Sequence, residues 1–326
     1  MLKDFLIYLI FLFFKSIIPF FPIGLNSATA RIIGRIYYLT DRSRRRIIRA
    51  NISVVYGRSL NWRQKEELAK KSCEYLAMSI FDILIFDKII TRYNYLKFFD
   101  IRGLSYLFDS IKRGKGTIVV MGHFGNFFLV RYACYLNIPP RATIIRKLDN
   151  PYIERFVTKA LKEHGVTGIR PKGALKRMHQ LLLNNSVVVT LADQKAGGNQ
   201  KRRHGFAVDL FGIPSQTHIT APLLARRTGA AVLPVFVIRT EPGRYRIEVN
   251  KPLKFIHTDY EEDDLRKNTR KINQLFEEYI KKYPEEWFWL HRRWKNIAGL
   301  KDLYKTSNPL SLVEDFRKNI KSTAAS

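Results

Sequence analysis

The sequence predicts an α/β protein: a sheet with helices on both faces, preceded by a hydrophobic N-terminal membrane helix and a helical cap. From about residue 100, short β-branched and apolar runs alternate with segments of helical periodicity, a pattern typical of parallel sheets covered by helices. Before that point the chain is first strongly apolar and then amphipathic at helical spacing. With 326 residues and 46% hydrophobic content, the chain can bury a sizeable core.

The amino end, residues 5–23, reads FLIYLIFLFFKSIIPFFPI. About 20 apolar residues span a bilayer as a helix, so we expect this stretch to cross the membrane or to lie in its interface with Lys15 reaching outward. Residues 28–30 resemble the cleavage site of a signal peptide. The arginine-rich segment that follows, from Arg31 to Arg49, instead favours an uncleaved anchor held at the cytoplasmic face.

Four segments follow from these patterns: a membrane anchor at 1–25, a cap of two or three helices at 26–99, an α/β domain at 100–300, and a polar, loose C-terminal tail at 301–326. Inside the α/β domain, the glycine-rich basic loop 195–205 is predicted to be a mobile lid.

Composition excludes several classes of protein. A net charge of +29 attracts polyanions, but the abundant aromatic residues and the apolar N-terminus favour a membrane over nucleic acid as the partner. Two cysteines form neither a disulfide framework nor a metal cluster. The sequence also lacks a phosphate-binding loop, a dinucleotide fingerprint and a nucleophile elbow. We therefore expect no metal and no cofactor.

The stretch 117–128, TIVVMGHFGNFF, is the centre of the predicted domain. Its first five residues predict a buried strand, and Gly122 lets the chain leave the sheet. His123 then stands at the carboxyl end of the strand, where open α/β sheets bind ligands. Gly125 and Asn126 can open the next helix. His123 is thus a candidate catalytic residue, and a structural histidine is the alternative.

A second predicted strand, SVVVTLAD at 186–193, ends in Asp193 and is followed by Gln194. If the two strands are neighbours, both ends reach one crevice. An imidazole oriented by a carboxylate can take a proton from a hydroxyl that attacks an acyl carbon. Asp193 could equally be a helix cap or a salt-bridge partner.

Four segments resemble one known family: HFGNFF (123–128), LADQ (191–194), LFGIPSQTHITAPLLARRTGAAVLPVF (210–236) and PEEWFWLHRRWK (284–295). Together they are similar to the lipid A biosynthesis acyltransferases, the lauroyl and myristoyl transferases of the lysophospholipid-acyltransferase-like superfamily. The resemblance implies a glycerolphosphate-acyltransferase-like fold at the cytoplasmic face of the inner membrane. It also implies transfer of a fatty acyl chain from acyl carrier protein or acyl-CoA to a hydroxyl of a lipid A precursor or similar anionic glycolipid.

The same resemblance indicates a substrate-binding set. Arg146 matches an arginine of the family pattern, and Asn150 follows four residues later. A guanidinium there suits a phosphate or a sugar carboxylate, although a surface arginine is the alternative. Arg170, at the end of the next short strand, is expected to join this anionic pocket. Asn126 and Gln194 complete the predicted set.

One position departs from the family pattern. The family has Glu or Asp at the fifth position after the histidine, and this chain has Phe128 there. Three alternatives remain open. Asp193, Glu154 or another acid supplies the carboxylate; His123 works unassisted and slowly; or the protein is a catalytically silent relative that only binds lipid.

Overall fold

The computed structural model describes residues 2–196 and 205–325. The helices are α1 Leu2–Ile17, α2 Ile23–Thr40, α3 Arg42–Tyr56, α4 Trp62–Ile89, α5 Leu104–Lys112, α6 Pro151–Glu163, α7 Ala174–Leu183, α8 Thr220–Thr228, α9 Glu261–Lys282 and α10 Pro309–Ala325. The strands are β1 Phe99–Arg102, β2 Thr117–Met121, β3 Arg141–Ile144, β4 Val166–Ile169, β5 Val187–Leu191, β6 Gly205–Leu210, β7 Ile213–His218, β8 Ala231–Glu241 and β9 Arg244–Val249. Residues 197–204, the greater part of the predicted lid, lie outside the described residues.

The chain divides into two compact units, each assembled from separate stretches. Unit 1 comprises Met1–Ala28, Ser79–Leu191 and Thr220–His257. Unit 2 comprises Thr29–Met78, Ala192–Ile219 and Thr258–Ser326. Neither unit coincides with a single segment of the predicted division.

Unit 1 contains a sheet in which the described strands follow the order β1-β9-β8-β2-β5-β3-β4. Every neighbouring pair is parallel except β8 and β9, which are antiparallel. All five residues of β2 are buried, as expected for a central strand covered on both faces. In the register of β2 with β5, Met121 lies opposite Leu191. The predicted α/β character is therefore present.

The two faces of β2 carry different neighbours, because alternate side chains of a strand point in opposite directions. Val119 and Met121 belong to a core cluster that includes Phe86 of α4 and Leu129. α7 and α8 contact β5 and β2. Helices thus fill both sides of the sheet, and α4 supports the face on which Val119 and Met121 lie.

Unit 2 contains a two-stranded antiparallel sheet, β6 with β7, and most of its other described residues are helical. The expectation of a loose C-terminal tail is wrong, because α10 packs against α3. Val313 is fully buried, and the Nη2 group of Arg317 donates to the carbonyl oxygens of Val54 at 2.8 Å and Phe211 at 2.7 Å. The amphipathic pattern of this short segment gains its stability from tertiary packing.

The prediction that the N-terminal helix crosses a membrane is wrong. Within residues 2–196 and 205–325, no helix combines the length and the apolarity needed to cross a membrane. α1 has 16 residues and ends at Ile17, where a 3₁₀ turn with Pro19 interrupts the apolar stretch. Sixteen residues rise about 24 Å, short of the roughly 30 Å hydrocarbon core of a bilayer.

One side of α1 packs on α6 within unit 1. Ring centroids are 5.5 Å apart for Phe5–Tyr152, 5.3 Å for Tyr8–Tyr152 and 4.9 Å for Phe11–Phe156. The Nζ of Lys15 lies 4.0 Å from the centre of the Phe156 ring. The lysine that interrupts the apolar stretch therefore makes a cation–π contact inside the protein.

We expect Tyr152→Ala to loosen α1, because two aromatic contacts with that helix are lost. Each of the two aromatic pairs contributes about 0.5–1.5 kcal/mol. We therefore expect local opening of α1 to become more frequent by a factor of about five or more. Amide hydrogen exchange of residues 2–17 measures this change. The control is Lys159→Ala on the exposed side of α6, and equal exchange rates in the two variants would contradict the packing role.

Candidate active site

His123 follows β2 by two residues, at the carboxyl edge of the sheet in unit 1. Gly122 separates it from Met121, the last residue of the strand. The imidazole is half-buried and meets the Phe127 ring edge-on, with ring centroids 5.0 Å apart. The sequence prediction thus placed this histidine correctly at the end of a buried strand.

A cavity of about 360 Å³ lies inside unit 1, and His123 is part of its wall. The sheet contributes Val119, Met121, Val189 and Leu191, all on one face, and the 3₁₀ segment Phe127–Leu136 contributes to the wall as well. Most of the wall is hydrocarbon. Pockets of roughly 300–1,000 Å³ hold small ligands, so this space suits an aliphatic chain that ends near one imidazole.

Arg146 lines the same cavity, two residues after β3 ends at Ile144. β3, like β2, is parallel to β5, so the carboxyl ends of these strands share one edge of the sheet. The Arg146 side chain is exposed, which leaves the guanidinium accessible to an anionic group. The structure therefore brings together two predicted site residues, His123 and Arg146.

Asn126 is buried and held by a polar network within unit 1. Its Nδ2 donates to the carbonyl oxygen of Ser79 at 3.0 Å and to the Tyr245 hydroxyl at 3.4 Å. The Tyr245 hydroxyl and the Arg239 guanidinium both donate to the Asp82 carboxylate. Burial raises the pKa of Tyr245 well above its usual value, so this hydroxyl stays a donor. The network fixes the loop that carries His123.

No sequence pattern indicates this network, because Asp82 belongs to α4 whereas Arg239 and Tyr245 belong to β8 and β9. Folding brings them together across more than 150 residues of chain: Arg239 and Asp82 are 157 positions apart. No local spacing rule connects such residues.

Asn150 and Arg170 have structural partners. The Oδ1 of Asn150 accepts from the backbone N–H groups of Tyr152 and Ile153 at 3.0 and 3.2 Å and so caps α6. Arg170 forms an ion pair with Glu154. Glu154 was one of the candidate acids to orient His123, and its carboxylate is engaged by Arg170 instead. Their roles in substrate binding stay predictions.

Asp193 belongs to unit 2, where its environment comes from the stretch 284–295. The carboxylate is buried, and its Oδ2 accepts from the indole Nε1 of Trp287 at 3.0 Å. Arg293 is fully buried and donates to the Gln216 carbonyl at 2.8 Å and to the Thr217 hydroxyl at 2.6 Å. Burial lowers the pKa of Arg293 to about 10, and the nearby Asp193 charge opposes this shift.

No local sequence pattern placed Trp287 or Arg293 in the surroundings of Asp193. The available signal was the match of PEEWFWLHRRWK to the family pattern. Gln194 follows Asp193 in unit 2 and is half-buried. In the part of the chain that the structure describes, no group of three or more His, Cys, Asp or Glu side chains could hold a metal ion.

Phe128, at the position where the family pattern has an acid, is part of the cavity wall. Its ring centre lies 5.6 Å from the Cζ of Arg131. The substitution thus replaces a carboxyl group with hydrocarbon surface that continues the apolar lining.

We expect Asp82→Ala to destabilise the protein by about 3–5 kcal/mol, because the buried Arg239 loses the Asp82 carboxylate. Urea unfolding with a probe in unit 1 measures the loss. The control is Asp100→Ala, which removes an exposed carboxylate paired with Arg102 and Arg246 and should cost less than about 1 kcal/mol. Similar midpoints for the two variants would show that the Asp82 network carries little stability.

Several curated proteins are similar to this chain. The lipid A biosynthesis lauroyltransferase of Escherichia coli (strain K12) is 24% identical over 275 residues, which is 81% of this chain and 83% of that protein. The lipid A biosynthesis palmitoleoyltransferase of the same organism is 27% identical over 216 residues, 64% of this chain and 65% of that protein. The phosphatidylinositol mannoside acyltransferase of Mycolicibacterium smegmatis is 24% identical over 209 residues, 62% of this chain and 64% of that protein.

The sequence model of one family, described as bacterial lipid A biosynthesis acyltransferase, matches residues 1–296. This match extends from α1 through the Trp287 and Arg293 segment and includes every predicted site residue. It confirms the resemblance drawn from the four sequence segments. The chain is therefore an acyltransferase that belongs to the bacterial lipid A biosynthesis acyltransferase family.

Proposed function

We propose that this protein transfers a fatty acyl chain from a thioester, carried by acyl carrier protein or coenzyme A, to a hydroxyl of an anionic glycolipid such as a lipid A precursor. The observation that carries the proposal is the cavity of about 360 Å³ with His123 in its wall. The hydrocarbon lining can hold a fatty acyl chain, and the imidazole can act as a base at the carbonyl end of that chain.

In the proposed mechanism, the acyl chain occupies the cavity with its thioester carbonyl beside His123. The imidazole takes the proton of the acceptor hydroxyl as the hydroxyl oxygen attacks the carbonyl carbon. Backbone N–H groups where the 3₁₀ segment begins at Phe127 stabilise the developing oxyanion. The thiolate then leaves, the ester forms, and the imidazolium returns its proton to the sulfur.

We propose Asp193 as the acid that orients His123, in place of the acid absent at Phe128. The support is the sequence pattern: His123 and Asp193 each stand two residues after the last residue of a strand, β2 and β5 respectively. The hydrogen bond from Trp287 fixes one carboxylate oxygen of Asp193. Losing an orienting acid of this kind can cost about 10⁴ in rate.

The acceptor is proposed to bind through its anionic groups. Arg146 lines the cavity with an exposed guanidinium, which suits a bidentate contact with phosphate. Asn126, Asn150, Arg170 and Gln194 complete the proposed substrate-binding set, with Asn126 and Asn150 acting by holding their loops in place. The net charge of +29 favours both an acidic carrier protein and a phosphorylated lipid.

The proposed place of action is the cytoplasmic face of the inner membrane. A glycolipid acceptor resides in a bilayer, so the enzyme must reach its surface. Large apolar side chains are exposed near the amino end, among them Ile10, Phe13 and Phe20, and such side chains suit contact with a bilayer surface.

We expect His123→Ala to lower the transfer rate by about 10²–10⁴-fold, because the general base is lost. Asp193→Asn should lower kcat with a smaller change in KM, since the orienting charge acts on the imidazole. The assay uses purified full-length protein, an acyl-carrier-protein thioester and a lipid A precursor. The control is His257→Ala at an exposed histidine. An unchanged rate for His123→Ala would refute the mechanism.

We expect Phe128→Glu to bring no gain in activity, because Asp193 already supplies the acid and a carboxylate would interrupt the apolar wall. Phe128→Leu is the control that keeps this wall apolar. A large gain for Phe128→Glu would show that the site lacks its acid. Lipid binding without transfer in the unchanged protein, in Phe128→Glu and in Phe128→Leu would favour a catalytically silent relative. The presence of Phe128 where the family has an acid is the observation that motivates this alternative.

A further inference from the structure

The segment after residue 296 lies outside the family match, yet it belongs to unit 2 and contributes buried side chains. Leu300 and Leu303 are each 1% exposed, and Val313 of α10 is fully buried. Apolar side chains buried to this degree stabilise the position of the segment that carries them. The segment is therefore a fixed part of unit 2, although the mechanism described above gives it no role.

Tyr304 connects this segment to the stretch 284–295. Its hydroxyl accepts from the backbone N–H of Trp294 at 3.0 Å and donates to the Oδ1 of Asn51, in α3, at 2.9 Å. Burial raises the pKa of Tyr304 above its usual value, so the hydroxyl keeps its proton near neutral pH. One hydroxyl therefore joins two elements of unit 2 that lie far apart in the chain.

Asn51 in turn holds the backbone of the stretch 284–295. Its side chain is fully buried, and its Nδ2 donates to the carbonyl oxygens of Trp289 at 2.6 Å and of His291 at 2.8 Å. The amide oxygen of Asn51 accepts from Tyr304, so the donors and the acceptor of the amide are all used. A buried amide with every polar group satisfied is held in a single orientation.

His291 connects the same stretch to the loop that begins at Asp193. Its Nε2 accepts from the backbone N–H of Lys195 at 3.1 Å, while its carbonyl oxygen accepts from Asn51. The indole Nε1 of Trp287 donates to the Asp193 carboxylate at 3.0 Å. The stretch 284–295 thus contacts the loop twice, once at the carboxylate and once at the backbone two residues later.

We propose that Tyr304 is a positioning residue for Asp193. Its hydroxyl fixes Asn51, Asn51 fixes the backbone at His291, and the imidazole of His291 fixes the loop in which the acid lies. Loss of the Tyr304 hydroxyl leaves this series of hydrogen bonds without its first member. The inference rests on the proposed function, in which Asp193 orients His123.

The replacement of the family acid by Phe128 gives a reason for this support. An acid five residues after His123 would be placed by the same short segment that places the histidine. Asp193 belongs to unit 2 instead, so its position depends on contacts made within that unit. A catalytic group on a loop needs supporting hydrogen bonds that hold it to within about 0.5 Å of its productive position. The segment after residue 296 supplies part of that support.

The first measurement needs no turnover. Tyr304→Phe keeps the ring and removes only the hydroxyl, so two hydrogen bonds are lost while the packing stays. We expect amide hydrogen exchange of residues 193–196 to become about fivefold faster or more. The matched control is Tyr56→Phe, which removes a hydroxyl bonded to the Ile280 carbonyl in the same unit. Exchange in Tyr304→Phe that equals exchange in the unchanged protein would overturn the proposal.

Kinetics with an acyl-carrier-protein thioester and a lipid A precursor then test the action through Asp193. We expect Tyr304→Phe to lower kcat about tenfold and to leave KM unchanged, because a small displacement of a catalytic group is costly in rate. In the Asp193→Asn background, the same change should lower kcat by less than about twofold, since the positioned carboxylate is already absent. A purely structural role predicts equal losses in both backgrounds, and that result would overturn the proposal.

The single variants separate this inference from the proposed function. If Asp193→Asn keeps the kcat of the unchanged protein, the acid of the proposed function is refuted, and the role of Tyr304 falls with it. If Asp193→Asn lowers kcat and Tyr304→Phe does not, only the role of Tyr304 is overturned. Urea unfolding of each variant shows that it is folded under the conditions of the assay.

Discussion

The pairing of β2 with β5 is the interaction on which the arrangement of the site depends. Two parallel strands paired over five residues, with Met121 opposite Leu191, must leave the sheet at the same edge. Because both faces of β2 are covered, a shift of one residue would turn its apolar side chains to the wrong neighbours, so this register is strongly specified. The position of His123 is thereby fixed by the buried strand that precedes it.

The cavity follows from the same sheet. Val119, Val189 and Leu191 lie on one face and form part of its wall, and the segment that carries Phe128 and Arg131 forms another part. Interiors normally close-pack, and a space of about 360 Å³ in the core of unit 1 is within the size range of pockets that hold small ligands. Its apolar lining and few polar groups match a hydrocarbon ligand with a defined orientation.

Buried charge is used differently in the two units. In unit 1, Asp82 pairs with Arg239 and through Tyr245 supports the loop that carries His123. In unit 2, Trp287 and Arg293 surround the buried Asp193. Such groups are costly to bury unless they are paired, so their partners must be assembled accurately. Pairing of this kind holds the neighbouring side chains in fixed positions.

The amino-acid sequence by itself determined that β2 is a buried strand, that His123 stands at its end and that Phe128 replaces the acid of the family pattern. These features follow from local patterns of side chains along the chain. Only the tertiary structure decided that α1 packs on Tyr152 and Phe156 and ends before it could span a bilayer, and that α10 is a helix held by Arg317. It alone also brought together Asp82, Arg239 and Tyr245. The physical reason is that strand patterning reports local geometry, whereas contacts between side chains far apart in sequence exist only after the chain has folded.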